Sequence, residues 1–123
     1  MGYVVTPITQ EVLLGKISAA NFNSTADQAI TLPAGNKIIS KITCSAFSAT
    51  PTIAAGGFYT AASKAGNAIV AAGQVYTAGA AGVPVYPTLA KPYVSVATIY
   101  LALTTAEGGV LTSDVFIYGQ MLP

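Results

Sequence analysis

Apolar side chains recur at every second position over short runs, and this constrains the fold more than any other feature of the sequence. From Val94 to Thr104 one face carries Ala97, Ile99, Leu101 and Leu103, the other Val96, Thr98, Tyr100 and Ala102. Successive residues of a strand point to opposite faces, so a period of two predicts strand rather than helix. Asp114 to Leu122 repeats the pattern, with Val115, Ile117, Gly119 and Met121 opposite Phe116, Tyr118 and Gln120. Ala106-Glu-Gly-Gly109 between them reads as a turn, which predicts that these two strands pair as an antiparallel hairpin.

Further strands are predicted upstream. Gln28 to Leu32 stops at the turn signal Pro33-Ala-Gly-Asn36. In Ile38 to Ser48, Ile38, Ile42, Cys44 and Ala46 alternate against Lys41, Thr43 and Ser45. Gly57 to Ala62 and Ala68 to Thr77 flank a turn at Lys64-Ala-Gly-Asn67, and another strand falls within Ile8 to Ser18. Ala68 to Tyr76 is Ala-rich and admits a short helix, but its length and flanking glycines favour strand. Ala78 to Pro92, with Gly79, Gly82, Pro84, Pro87 and Pro92, reads as a long loop, and long ordered loops tend to make contacts. With 123 residues, no linker and no repeat, the expectation is one all-β domain over residues 1–123. About seven or eight strands fit an antiparallel, jelly-roll-like β-sandwich.

The charges restrict function. Only 7% of residues are charged, five Lys and four acids, and the chain has no Arg, His or Trp. Five scattered lysines make no basic stripe for a phosphate backbone, so no nucleic-acid partner is expected. No apolar run approaches the length of a membrane-spanning helix, and no cationic leader precedes the first apolar residues. Gly2 and Thr6 fit a short myristoylation pattern of low specificity. Lacking His and with one cysteine, Cys44, the chain offers no familiar transition-metal ligand set. Phosphate-cradling loops and a nucleophile elbow are absent from the sequence. Glu107 and Asp114 flank one turn and could approach as an acid–base pair, although solvated acids at a turn are the simpler reading. Cys44 reads as a small buried hydrophobe, and Asn23-Ser24-Thr25 as a polar turn. No catalysis, cofactor or metal is expected.

What remains is a surface problem. Nine charges cannot cover a domain of this size when soluble surfaces commonly carry about 25–35% charged residues. Val96, Tyr100, Phe116 and Tyr118 lie on the strand faces that should meet water, and apolar surface there marks a contact with other protein. These four residues are the candidate interface of a homo-oligomer.

The chain also resembles the small virion structural proteins of tailed bacteriophages, especially their jelly-roll decoration (cement) proteins. The resemblance lies in the Thr-, Ala- and Gly-rich, charge-poor composition, in Gly56-Gly-Phe-Tyr-Thr-Ala-Ala-Ser63 and in Ser113-Asp-Val-Phe-Ile-Tyr-Gly119. It implies a non-enzymatic protein made in the host cytoplasm that sits as a trimer on the major capsid protein and stabilises the phage head. No binding residue is carried over by position. A receptor- or carbohydrate-binding β-sandwich of a phage tail or fibre is the alternative, with the seven tyrosines as its source of ring surfaces.

Overall fold

A computed structural model describes residues 11–123. Its eight strands are β1 (Val12–Asn21), β2 (Gln28–Thr31), β3 (Lys37–Ser45), β4 (Ala55–Ala61), β5 (Ala65–Val70), β6 (Tyr93–Val94), β7 (Thr98–Thr105) and β8 (Thr112–Met121), and the described residues contain no helix. Residues 8–10 of the expected first strand, Tyr3 and the Gly2/Thr6 pattern lie outside the described residues.

The strands form two four-stranded antiparallel sheets. Sheet I has the order β1-β8-β3-β6 and sheet II the order β2-β7-β4-β5. The chain changes sheet at every connection except β4–β5, and this interleaving is the double Greek key of a jelly roll. The expected β-sandwich is therefore present. The expected hairpin between the last two long strands is not. β7 pairs with β2 and β4, whereas β8 pairs with β1 and β3, so the turn at 106–109 carries the chain from one sheet to the other.

The period-two pattern places the core where alternation puts it. Ile99, Leu101 and Leu103 of β7 and Val115 and Ile117 of β8 are buried between the sheets, with Ile30, Ile42, Cys44, Phe58 and Ile69. One expected face is corrected. A bulge between Ile39 and Lys41 inserts a residue into β3, so Ile39 joins Ile42 and Cys44 inside while Ile38 turns outward. An extra residue in one strand reverses the alternation on either side of it. Ala46 leaves the strand with φ 50° and is exposed, and Phe47 fills the core in its place. In the Ala-rich region the strand ends at Val70, and Ala71–Gly73 turn.

The long 71–92 segment closes one open side of the sandwich. Val85 bridges to Cys44 of sheet I and Leu89 bridges to Val70 of sheet II. Tyr76 of this segment is fully buried, edge-on to Phe22 at 5.0 Å, and Phe22 is edge-on to Phe47 at 5.8 Å. Lys37 is also buried: its ammonium donates to the Gly35 and Val96 carbonyls at 2.6 and 2.7 Å. Desolvation lowers its pKa, and the two carbonyls supply the partners a buried cation needs. Lys37 thereby pins the β6–β7 connection to the β2–β3 turn.

Candidate functional site

The outer face of sheet I collects aromatic and aliphatic side chains. Core-facing Val115, Ile117 and Gly119 leave Phe116 and Tyr118 pointing out, with ring centroids 6.4 Å apart and planes tilted by 32°. Pairing sets their neighbours: Leu13 of β1 and Lys41 of β3 flank Tyr118, and Lys16 and Thr43 flank Phe116. Ile38 pairs with Tyr93 of β6, which is 52% exposed, and Leu13 is 48% exposed. The face runs along β8 from Phe116 to Tyr118, which Leu13 flanks, and on past Gln120 to Ile38 and Tyr93. Cross-strand neighbours of this kind are within side-chain reach on one face of a sheet.

The same face holds charge. Lys41 Nζ lies 4.8 Å from the Tyr118 ring centroid and 3.4 Å from Glu11. The Ser40 hydroxyl donates to Glu11 at 2.5 Å, and this bond, followed by Lys41, holds the Glu11 carboxyl below its ordinary value. The pair is solvent-exposed, and such pairs contribute little stability. Its effect here is positional, because it keeps the ammonium over one face of Tyr118.

The structure brings Phe116 and Tyr118 together and separates the other two candidates from them. Tyr100 lies on the outer face of sheet II, between Ala29 of β2 and Tyr59 of β4. Val96 sits in the β6–β7 connection, where its carbonyl accepts from Lys37. One patch containing all four is therefore corrected to a sheet I surface that includes Phe116 and Tyr118, with Tyr100 and Val96 elsewhere. Sequence reading missed Leu13, Ile38 and Tyr93. For Ile38 the hidden cause is the bulge, and for the other two it is pairing with strands distant in sequence.

The other three carboxylates accept backbone amides. The Glu107 carboxylate accepts the Thr52, Ile53 and Ala54 amides at 2.8 to 3.0 Å and the Thr52 hydroxyl at 2.7 Å. Asp114 accepts the Ala19 amide at 2.8 Å, at the β1 bulge. Asp27 accepts the Ser63 amide at 2.8 Å, where Ser63 and Lys64 both have positive φ in the β4–β5 turn. Glu107 and Asp114, whose shared turn left an acid–base pair possible, instead bind different segments, Glu107 the 52–54 amides and Asp114 the Ala19 amide. Among the described residues, no three His, Cys, Asp or Glu side chains group as metal ligands. Burial raises the Cys44 thiol pKa, consistent with its place in the core.

Glu107 makes the acid response testable. The Ile53 amide foremost, then the Thr52 hydroxyl and the other amides, lower its pKa from 4.5 to about 2. A depressed folded-state value stabilises the fold above pH 4.5, and that stabilisation is lost as pH falls from 4.5 towards 2. Discounted for screening at a partly exposed site, it amounts to about 1–2 kcal/mol. Urea unfolding of wild type and Glu107→Gln should therefore give stability curves that converge by that amount across this window. Parallel curves would remove Glu107 as the acid-sensitive clasp.

Comparisons with protein-family models, with curated proteins and with solved structures gave no match.

Proposed function

We propose that this chain is a non-enzymatic virion structural protein, a decoration or cement protein that stabilises a tailed-phage head as a homo-oligomer, with a trimer as the assembly. The observation that carries the reading is the aromatic row on the outer face of sheet I, in a chain with only nine charges to solvate its whole surface. Apolar surface of this kind marks a protein contact. At ~25 cal/mol per Å2 over about 800 Å2 per partner, its burial favours association strongly before ordering costs are subtracted. The sequence resemblance supplies the virion, the major capsid protein as partner and the trimer.

The carbohydrate- or receptor-binding alternative has less support from this face. A pyranose stacks on an open ring, and one face of Tyr118 is already occupied by the Lys41 ammonium.

The test uses capsids stripped of the protein and then reloaded. Stripped capsids should fail at lower temperature than complete ones, and added wild-type protein should restore them. Tyr118→Lys should need at least about tenfold more protein for the same recovery, because a strongly hydrated charge would enter a dry contact. Ser95→Lys, exposed in the β6–β7 connection, should behave as wild type. Equal heat resistance of stripped and complete capsids would remove the cementing role, and equal effects of the two substitutions would move the contact off this face.

A further inference from the structure

We infer that copies of this chain meet one another through the loop end of the sandwich, which leaves the outer face of sheet I for a chemically different protein. This rests on the assembly reading above and assigns its self-contact to a separate surface.

The β3–β4, β5–β6 and β7–β8 connections converge at one end, beside the β1–β2 connection, whose Phe22 carbonyl accepts the Glu107 N–H at 3.0 Å. They are stitched together there: Tyr76 N–H donates to Ala54 O at 3.1 Å, Ser48 N–H to Thr112 O at 2.9 Å, and Glu107 of the third connection gathers the 52–54 amides of the first. The Gly79 backbone lies against the Phe47 ring, where an added Cβ would come within 2.5 Å of it. These loops therefore present a shape fixed in advance, which reduces the ordering cost of association.

They also present aliphatic surface. Ile53, Val75 and Val83 are 52%, 53% and 51% exposed, and Val110 is 84% exposed. Across residues 22–27, 46–54, 71–84 and 106–111 the charged residues are Asp27 and Glu107, and both carboxylates already accept backbone amides, while Lys91, later in the β5–β6 connection, lies back beside Ile69 of β5. The outer face of sheet I differs. It carries Glu11, Lys16, Lys41 and Asp114, four of the nine charges in the chain.

Charge decides between the two surfaces. In a closed ring the same face of every copy is turned towards the rotation axis, so like charges on that face approach one another and lose hydration without return unless opposites pair. The loop end has no unpartnered charge to desolvate, and aliphatic side chains are indifferent to identical neighbours. A second copy therefore fits the loop end. Sheet I, with charges of both signs around a ring pair, fits a partner whose charges are arranged to match.

Val110→Lys and Ile53→Lys test this, since both positions face solvent and a lysine there leaves the core intact. Sedimentation velocity at micromolar concentration is the readout, with unchanged far-ultraviolet circular dichroism as the check on folding. Wild type should sediment as an oligomer, and each substitution should weaken self-association by at least about tenfold. Tyr118→Lys should assemble as wild type does, yet need at least about tenfold more protein to reload stripped capsids. Undiminished assembly of both loop-end variants overturns the inference. If Tyr118→Lys alone is then monomeric, copies meet through sheet I and the assembly reading survives. Wild type that is monomeric throughout overturns the inference together with the homo-oligomer on which it rests.

Discussion

Replacing Gly119 by alanine is expected to cost the sandwich more than about 3 kcal/mol, a large fraction of the ~5–15 kcal/mol that holds a typical domain. β8 is hydrogen-bonded on both sides, and Gly119 pairs with Val12 of β1 and Ile39 of β3. It faces inward, and a Cβ there would overlap the Ile38 carbonyl oxygen and come within 2.9 Å of Leu14 Cδ1. The leucine can change rotamer. The carbonyl cannot give way, because it belongs to the backbone of a paired strand next to the β3 bulge. Gly109→Ala is the control: nothing lies within 4 Å of its added Cβ, so its change should stay within about 0.5 kcal/mol. Equilibrium urea unfolding of the two variants makes the comparison. Similar midpoints would mean that β3 and β8 can separate at no cost.

The alternation that revealed the strands held no information about their partners. Ile99 and Val115 read alike as inward-facing positions, yet they line opposite sheets. The turn residues at 106–109 specify a reversal of direction, and a reversal serves a hairpin and a sheet-crossing connection equally well. Sheet choice is settled by contacts such as Phe22 N–H to Leu111 O and Glu107 N–H to Phe22 O, between residues far apart in the chain. Glu107 shows the same limit at the level of one side chain. As a turn acid it looked solvated, because the amides it accepts lie 53 to 55 positions away.

The contact surface was legible only in part, for related reasons. Phe116 and Tyr118 sit two apart on one strand, so their shared face follows from the pleat alone. Tyr100 obeys the same rule on β7, but its strand belongs to the other sheet and its outward face is the opposite side of the molecule. Scarcity of charge was visible in the composition, whereas its placement was not. Only the folded chain brings Glu11 to Lys41 and gathers Ile53, Val83 and Val110 at a loop end where the nearby carboxylate, Glu107, already accepts amides.

Tyr76 ties the loops to the core, and its removal should have the second large effect. It lies outside every strand and was one of seven tyrosines available for surface contacts, yet it is fully buried. Its ring packs edge-on against Phe22, and its hydroxyl donates to the Gly56 carbonyl at 3.0 Å. Burial foremost pushes its phenol pKa well above 10, which keeps the hydroxyl protonated as that donor. Tyr76→Ala should cost about 3–5 kcal/mol, the range for deleting a large buried aromatic. Tyr76→Phe keeps the ring and leaves one buried carbonyl short of a partner, so it should cost about 1–2 kcal/mol. Urea unfolding of both variants separates packing from hydrogen bonding, and equal losses would assign the whole effect to the hydroxyl. The pair also probes the loop end, because Tyr76 N–H holds Ala54 next to exposed Ile53. Tyr76→Phe preserves that bond and the ring, so it should weaken folding while leaving self-association of the folded chain at its wild-type strength.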